Sequence, residues 1–323
     1  MSVLREPFTR LDSDAELRQL LLGRCRLGPG DIWKDPEAGH RVGCLDGESE
    51  EDVRSLAEGE SAVCAVQDPP YNISVGKTSS SGLFYTSIGE YMDFSRKWIR
   101  ATLSVLAPDS HFYLWTGADP RNGFQPLPDL ILLLREFEEL TPRNLITLRN
   151  QRGYGTQKNW MWVRQELLYY IRGKPGFTVV YTEIPKRLKG YYKDVGGKRL
   201  ENSQRGLGDT LRAGNVWMDI QQVFYRMHEN VPGAYAQKPL ESIKRILLSG
   251  TRPGDTVLDS FAHSGTTLLA AEQSGRRCIT LDRDPIFAEL TIRRLEHYRR
   301  TGRPGWQCDN PFPEVDVRNR SRS

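Results

Sequence analysis

The sequence predicts an α/β protein with a doubly wound, mostly parallel sheet and helices on both faces, and three observations predict it. From residue 41 onward, short apolar strands alternate with amphipathic helices, the pattern of consecutive βαβ units. The run 255–267, DTVLDSFAHSGTT, reads as a strand, a small-residue turn and a helix start. A buried-looking strand over residues 61–67 ends directly in Asp68-Pro69-Pro70-Tyr71, a polar turn of the kind that doubly wound folds place beyond strand carboxyl ends.

Residues 1–40 are expected as a polar leader with one helix over residues 14–25, which the breakers Gly28-Pro29-Gly30 end. Strands follow as short apolar runs at residues 41–45, 62–67, 111–116, 145–148, 257–259 and 277–281. Amphipathic helices fit residues 50–56, 91–106, 130–140, 240–248, 266–274 and 285–299. Between about residues 184 and 214 the alternation fails and Gly, Lys, Arg, Asn and Tyr dominate, so this segment reads as an insertion or binding surface. The main domain then spans residues 41–301, and residues 302–323, without periodicity, read as a tail.

With 323 residues and 38% hydrophobic content, the chain is long enough for a substantial core. Its formal charge of +4 permits contact with a phosphate backbone without indicating it. The basic signal is local: Lys186, Arg187, Lys189, Lys193, Lys198, Arg199 and Arg205 cluster around Tyr191 and Tyr192. Cys25, Cys44, Cys64, Cys278 and Cys308 are scattered with no CxxC pair, so neither a disulfide framework nor a metal site is expected. No apolar stretch approaches the ~20 residues a membrane span requires, and the expected location is cytoplasmic.

Asp68-Pro69-Pro70-Tyr71 makes a stiff, acceptor-rich turn. The prolines fix two φ angles near about −65° and supply no N–H, leaving their carbonyls free. An exocyclic amine on a nucleobase is a poor nucleophile, and a carboxylate and a carbonyl could hold its two N–H groups while the Tyr71 ring stacks on the base. The same dipeptides also punctuate ordinary strand-to-loop turns. In the second turn, Asp259, Phe261, His263, Ser264, Gly265 and Thr266 lead into a helix, and Asp282 ends the next strand, placed to accept from ribose hydroxyls. A G-x-G-x-x-G fingerprint is absent, which disfavours a dinucleotide and fits S-adenosylmethionine better; a plain αβ unit without ligand is the alternative.

Together these residues make the chain resemble the beta, or permuted, class of S-adenosylmethionine-dependent DNA amino-methyltransferases, over about residues 41–299. In that family a D/N/S-P-P-Y/F/W turn precedes a D-x-F-x-G-x-G turn, the order seen here. Gln237-Lys238-Pro239 matches the family's Q-K-P helix start, and Asn215-Val216-Trp217 its N-V-W element. Glu166 keeps the acid of a family H-E-x-I strand, with Gln165 at the His position. Two positions depart from the family: His263 stands where a glycine is usual, and Ala234-Tyr235-Ala236 replaces H-P-T.

The resemblance implies a Rossmann-like methyltransferase sheet with an inserted target-recognition segment at about residues 184–214. It implies methyl transfer to N6 of a flipped adenine in double-stranded DNA, with Asp68, Pro69, Pro70 and Tyr71 catalytic. Asp46, Gln237, Lys238, Asp259, Phe261, His263, Ser264, Gly265, Thr266 and Asp282 would bind the cofactor, Asp46 through its adenine. Relatives commonly dimerise and serve restriction–modification systems. N4-methylation of cytosine is the nearest alternative, since Asp rather than Ser at the first motif position is only a tendency toward adenine. A partner subunit that kept the fold and lost catalysis is the other, motivated by His263 and residues 234–236.

Overall fold

A computed structural model describes residues 8, 10–11, 14–71, 87–117, 123–154, 160–186, 192–201 and 209–315. The leader contributes α1 (Ala15–Leu22) and β1 (Ile32–Lys34). β2 (Arg41–Gly43), α2 (Glu50–Ala57), β3 (Ala62–Gln67), α3 (Ile88–Leu103), β4 (Leu106–Thr116), α4 (Leu127–Leu134), β5 (Leu140–Tyr154) and β6 (Trp162–Arg172) follow. Short strands β7 (Tyr181–Pro185), β8 (Tyr192–Val195), β9 (Lys198–Glu201), β10 (Thr210–Arg212) and β11 (Val216–Trp217) occupy the next segment. The chain closes with α5 (Leu240–Gly250), β12 (Thr256–Asp259), α6 (Thr266–Ser274), β13 (Arg277–Leu281) and α7 (Pro285–Thr301).

Nine strands form one sheet in the order β1-β2-β13-β12-β3-β4-β6-β5-β11. β2, β13, β12, β3 and β4 are mutually parallel, and the β4–β6 and β6–β5 pairs are antiparallel. Strand β4 shows why both faces carry helices. Phe112 and Leu114 enter a core with α2, α3 and α4, whereas Tyr113 and Trp115 enter a second core with α5, α6 and α7. From β12 the chain passes through α6 to β13 on one side, and from β3 through α3 to β4 on the other. β12 and β3 are neighbours, Leu258 opposite Ala65, so their carboxyl ends flank the crevice where strand order reverses.

Several boundaries differ from the sequence expectation for physical reasons. The helix expected at residues 91–106 runs Ile88–Leu103, because Ser87 and Glu90 form a capping box at its start. The helix expected at residues 130–140 runs Leu127–Leu134, opened by a proline in its first turn, and Leu140 instead begins β5. The strand expected at residues 111–116 is the carboxyl-terminal part of β4, whose start pairs with β3, and the one expected at 145–148 is the centre of β5, extended by pairing with β6. Described residues of the leader and of the expected tail pack against α7. Leu11, Leu17 and Leu21 join Ile286, Phe287, Leu290, Trp306, Phe312 and Val315 in a third core against α7.

The described strands around residues 184–214 pair outside the main sheet. β7 pairs with β10, and β8 with β9 through Gly196 and Gly197, both at positive φ, as a two-residue hairpin turn requires. No helix among the described residues is long and apolar enough to cross a membrane.

Candidate active site

Gln67, the last residue of β3, is fully buried, and its Oε1 accepts from the backbone N–H of Ser260 at 3.0 Å. This bond ties the turn after β3 to the turn after β12 across the switch point. Asp68 follows immediately, and both its carboxylate oxygens are engaged. Lys238 Nζ donates to Oδ2 at 2.8 Å, and the Tyr71 hydroxyl donates to Oδ1. Lys238 is only 6% exposed, with its ammonium 4.9 Å from the Tyr71 ring centre and 5.4 Å from that of Trp115. Burial and the Asp68 charge push the Tyr71 phenol well above its ordinary pKa, so it stays a neutral donor. Tyr71 therefore lies folded inward, its ring against the core and its face shared with a cation.

The second turn is built around two acids. Asp259 is buried, accepts from the backbone N–H of Phe261 at 2.9 Å and bonds to the Thr267 side chain. Burial nonetheless raises its pKa to about 7, with the charges of Asp68 and Asp282 adding to the rise. Asp282 accepts from the backbone N–H groups of His263 and Asp284, each at 2.9 Å. It too is raised to about 7, through burial first and then the nearby Asp284 charge. Asp68, Asp259 and Asp282 thus gather at the carboxyl ends of neighbouring strands, with Lys238 paired to Asp68, an environment that favours a cationic ligand.

Local backbone geometry holds this turn open. His263 adopts φ +44°, a left-handed conformation histidine tolerates better than most residues, and its ring packs 4.7 Å from that of Phe287. Gly265, at φ +71°, precedes α6, and a Cβ there would meet the Thr291 Cα at 3.0 Å. Ser264 and Thr266 are buried, their hydroxyls 3.1 Å apart, and the Thr266 hydroxyl donates to the Lys238 carbonyl at 3.4 Å. The Q-K-P segment and the small-residue turn are therefore in contact. Phe261 packs edge-on to Trp98, 5.5 Å between centroids, below the turn.

Other expected residues are placed less directly. Asp46 is exposed in the loop after β2, where its side chain accepts from the Glu48 N–H. A Cβ on the adjoining Gly47 would come within 3.0 Å of the Ser260 carbonyl, so this loop borders the turn after β12. Gln237 is buried with its amide spent on Glu229 and Val231 backbone, and shapes the loop before α5. Lys193, Lys198 and Arg199 are exposed on the β8–β9 hairpin, Arg199 over the Tyr192 ring, and Lys186 adjoins β7. Arg187, Lys189 and Arg205 lie outside the described residues.

Two residues that sequence reasoning missed organise the site from behind. Arg294 of α7 is fully buried and donates to the carbonyls of Ser264 (2.8 Å), Pro304 (2.7 Å) and Glu229 (3.1 Å) and to the Thr266 hydroxyl (3.0 Å). Burial lowers its pKa to about 10, which leaves it charged at neutral pH. The Glu229 carboxylate accepts from the Leu240 N–H at 2.8 Å and so caps α5, and burial raises its pKa. The available signal was an arginine on the apolar stripe of α7, four residues after Leu290.

Comparison with known proteins finds DNA methyltransferases. The Type II methyltransferase M.BamHI of Bacillus amyloliquefaciens is 29% identical over 66% of this chain and 48% of its own length, so the chain spans about half of that protein. The DNA adenine methyltransferase YhdJ of Escherichia coli is 27% identical over 74% of this chain and 79% of its own. Among solved structures, the cytosine-N4-specific PvuII DNA methyltransferase superposes with a TM-score of 0.53 at 15% identity, over 78% of this chain and 85% of that one, a likeness of fold. The profile of the N6/N4 DNA methylase family matches residues 63–293, which include both turns and the sheet that joins them. This chain belongs to the N6/N4 DNA methylase family.

Proposed function

We propose that this protein methylates N6 of adenine in double-stranded DNA, with Asp68 and the Pro69 carbonyl holding the target amine. The observation that carries the reading is the Asp68 carboxylate at the switch point, tied by Lys238 to the same segment that meets the small-residue turn. Enzymes of this family draw their methyl group from S-adenosylmethionine.

The residues present fit that donor. The buried Ser260 hydroxyl has no hydrogen-bond partner among the described residues, and Asp259 and Asp282 hold raised pKa values that a cationic ligand would relieve. Asp259, Phe261, His263, Ser264, Gly265, Thr266, Asp282 and Lys238 would hold it, with Asp46 at the adenine end. When bound, it supplies an electrophilic methyl group on a sulfonium sulfur.

The chain's own residues do the rest. Asp68 and the Pro69 carbonyl accept the two N–H groups of the amine, which turns its lone pair out of the ring and toward the methyl. Tyr71 must first leave Asp68, which frees both the carboxylate oxygen and the ring face for the base. The amine nitrogen, so held, would be the atom that accepts the methyl group, and once methylated it would shed a proton to solvent. A duplex hides this amine, so the base is flipped out to reach it. Asp at the first motif position supports adenine, as does the kinship to YhdJ.

Duplex DNA incubated with the protein and methyl-labelled S-adenosylmethionine, then digested to nucleosides for mass spectrometry, tests this. Labelled N6-methyldeoxyadenosine is expected. Labelled N4-methyldeoxycytidine would move the target base, and unlabelled DNA would contradict the reading in favour of a partner subunit.

A further inference from the structure

The β5–β6 pair rises beyond the sheet rim beside the catalytic turn. Thr116, the last residue of β4, faces Glu166 of β6, and Trp162 lies four residues further out, about 13 Å at ~3.3 Å per residue. Three large apolar side chains stand at that end. Trp160 is 94% exposed and Met161 61%, with Trp162 at 38%. Exposed tryptophans adjoining one another are costly in water and need a reason.

Just below them, Arg149 of β5 and Arg164 of β6 are direct cross-strand partners, and both are exposed. Like charges in that relation destabilise a sheet unless an anion relieves them. The Arg164 Nε reaches the buried Glu166 carboxylate at 2.8 Å, which also accepts from Thr147, whereas Arg149 has no ion pair among the described residues, so the rim stays positive. Aromatic faces above a basic rim, over a site that takes an extruded base, match duplex DNA in charge and in shape.

We infer that the outer end of the β5–β6 pair is a DNA wedge: Trp160 and Trp162 stack on bases at the gap left by the flipped nucleotide, and Arg149 and Arg164 hold flanking phosphates. The inference rests on the proposed DNA methylation, and assigns to this pair a contact separate from the basic β8–β9 hairpin.

The test compares wild type with the Trp160→Ala/Trp162→Ala double variant on a duplex carrying a site the wild type methylates, and on the same duplex with the target opposite an abasic position. On the paired duplex the variant should lose about 10-fold or more in kcat/KM, on the scale of base–aromatic stacking. On the abasic duplex, where flipping costs little, the loss should shrink to within about 3-fold. Arg149→Gln and Arg164→Gln should each lower the slope of log K against log salt for DNA binding by about one. S-adenosylmethionine titration should not change in any variant, and melting temperature should not change in the double tryptophan variant. Unchanged activity on the paired duplex, or equal losses on both duplexes, would overturn the wedge alone. A wild-type dimer that the double variant turns into a monomer in sedimentation would also overturn it, by assigning the tryptophans to a second copy. Failure of the wild type to methylate any duplex would overturn the underlying reading and the wedge with it.

Discussion

The fold changes the chemistry of Asp259 and Asp282 in the same direction. Both are raised from the ordinary carboxylate value to about 7 by burial. An acid raised in this way binds its proton more tightly in the folded state than in the unfolded one. Its contribution to stability is therefore present below about pH 4 and is lost as pH rises through about 7. Without cofactor the melting temperature should fall across that window, and Asp259→Asn should flatten the fall. A bound cation has the opposite sign: it favours the ionised acids, so S-adenosylmethionine should bind more weakly below pH 7 and release protons on binding near it. Calorimetry in buffers of different ionisation enthalpy checks the release, and a pH-independent titration would contradict it. Asp282→Ala should weaken cofactor binding before it affects turnover with saturating cofactor.

The turn between β12 and α6 shows how one element carries both stability and binding. Gly265→Ala meets two penalties, a positive φ and a Thr291 backbone atom at 3.0 Å, together about 1–3 kcal/mol of stability. Denaturant melts should show that loss, and the affinity for S-adenosylmethionine should fall with it. This element was legible in the sequence, because a strand, small residues and a helix start occupy consecutive positions. The inward fold of Tyr71 was not. Its hydroxyl partner is three residues away, but the lysine that covers its ring lies in a segment 170 residues from Asp68. Arg294 escaped for the same reason, since its acceptors are three carbonyls and a hydroxyl from three separate stretches that only the fold assembles.

For the molecule as a whole, the alternation of strands and helices was enough to read the doubly wound core, because both faces of β3, β4 and β12 are apolar. The third core was hidden. Leu11, Trp306, Phe312 and Val315 are isolated apolar residues in aperiodic segments near opposite ends of the chain, and they acquire a partner face only where α7 presents Ile286 and Leu290. This core braces the helix that carries Arg294. Phe312→Ala, at a fully buried ring beneath Arg293, should cost about 3–4 kcal/mol in chemical denaturation. A loss under 1 kcal/mol would return this segment to the status of a tail.

The central claim is that the carboxylate held by Lys238 and Tyr71 at the switch point orients an amine for methylation. Single-turnover methyl transfer to duplex DNA by wild type and by Asp68→Ala, each saturated with S-adenosylmethionine, tests it most directly. Asp68→Ala should bind the cofactor with nearly wild-type affinity and transfer at least ~100-fold more slowly, the scale of a lost orienting contact. Transfer by Asp68→Ala at the wild-type rate would contradict the account.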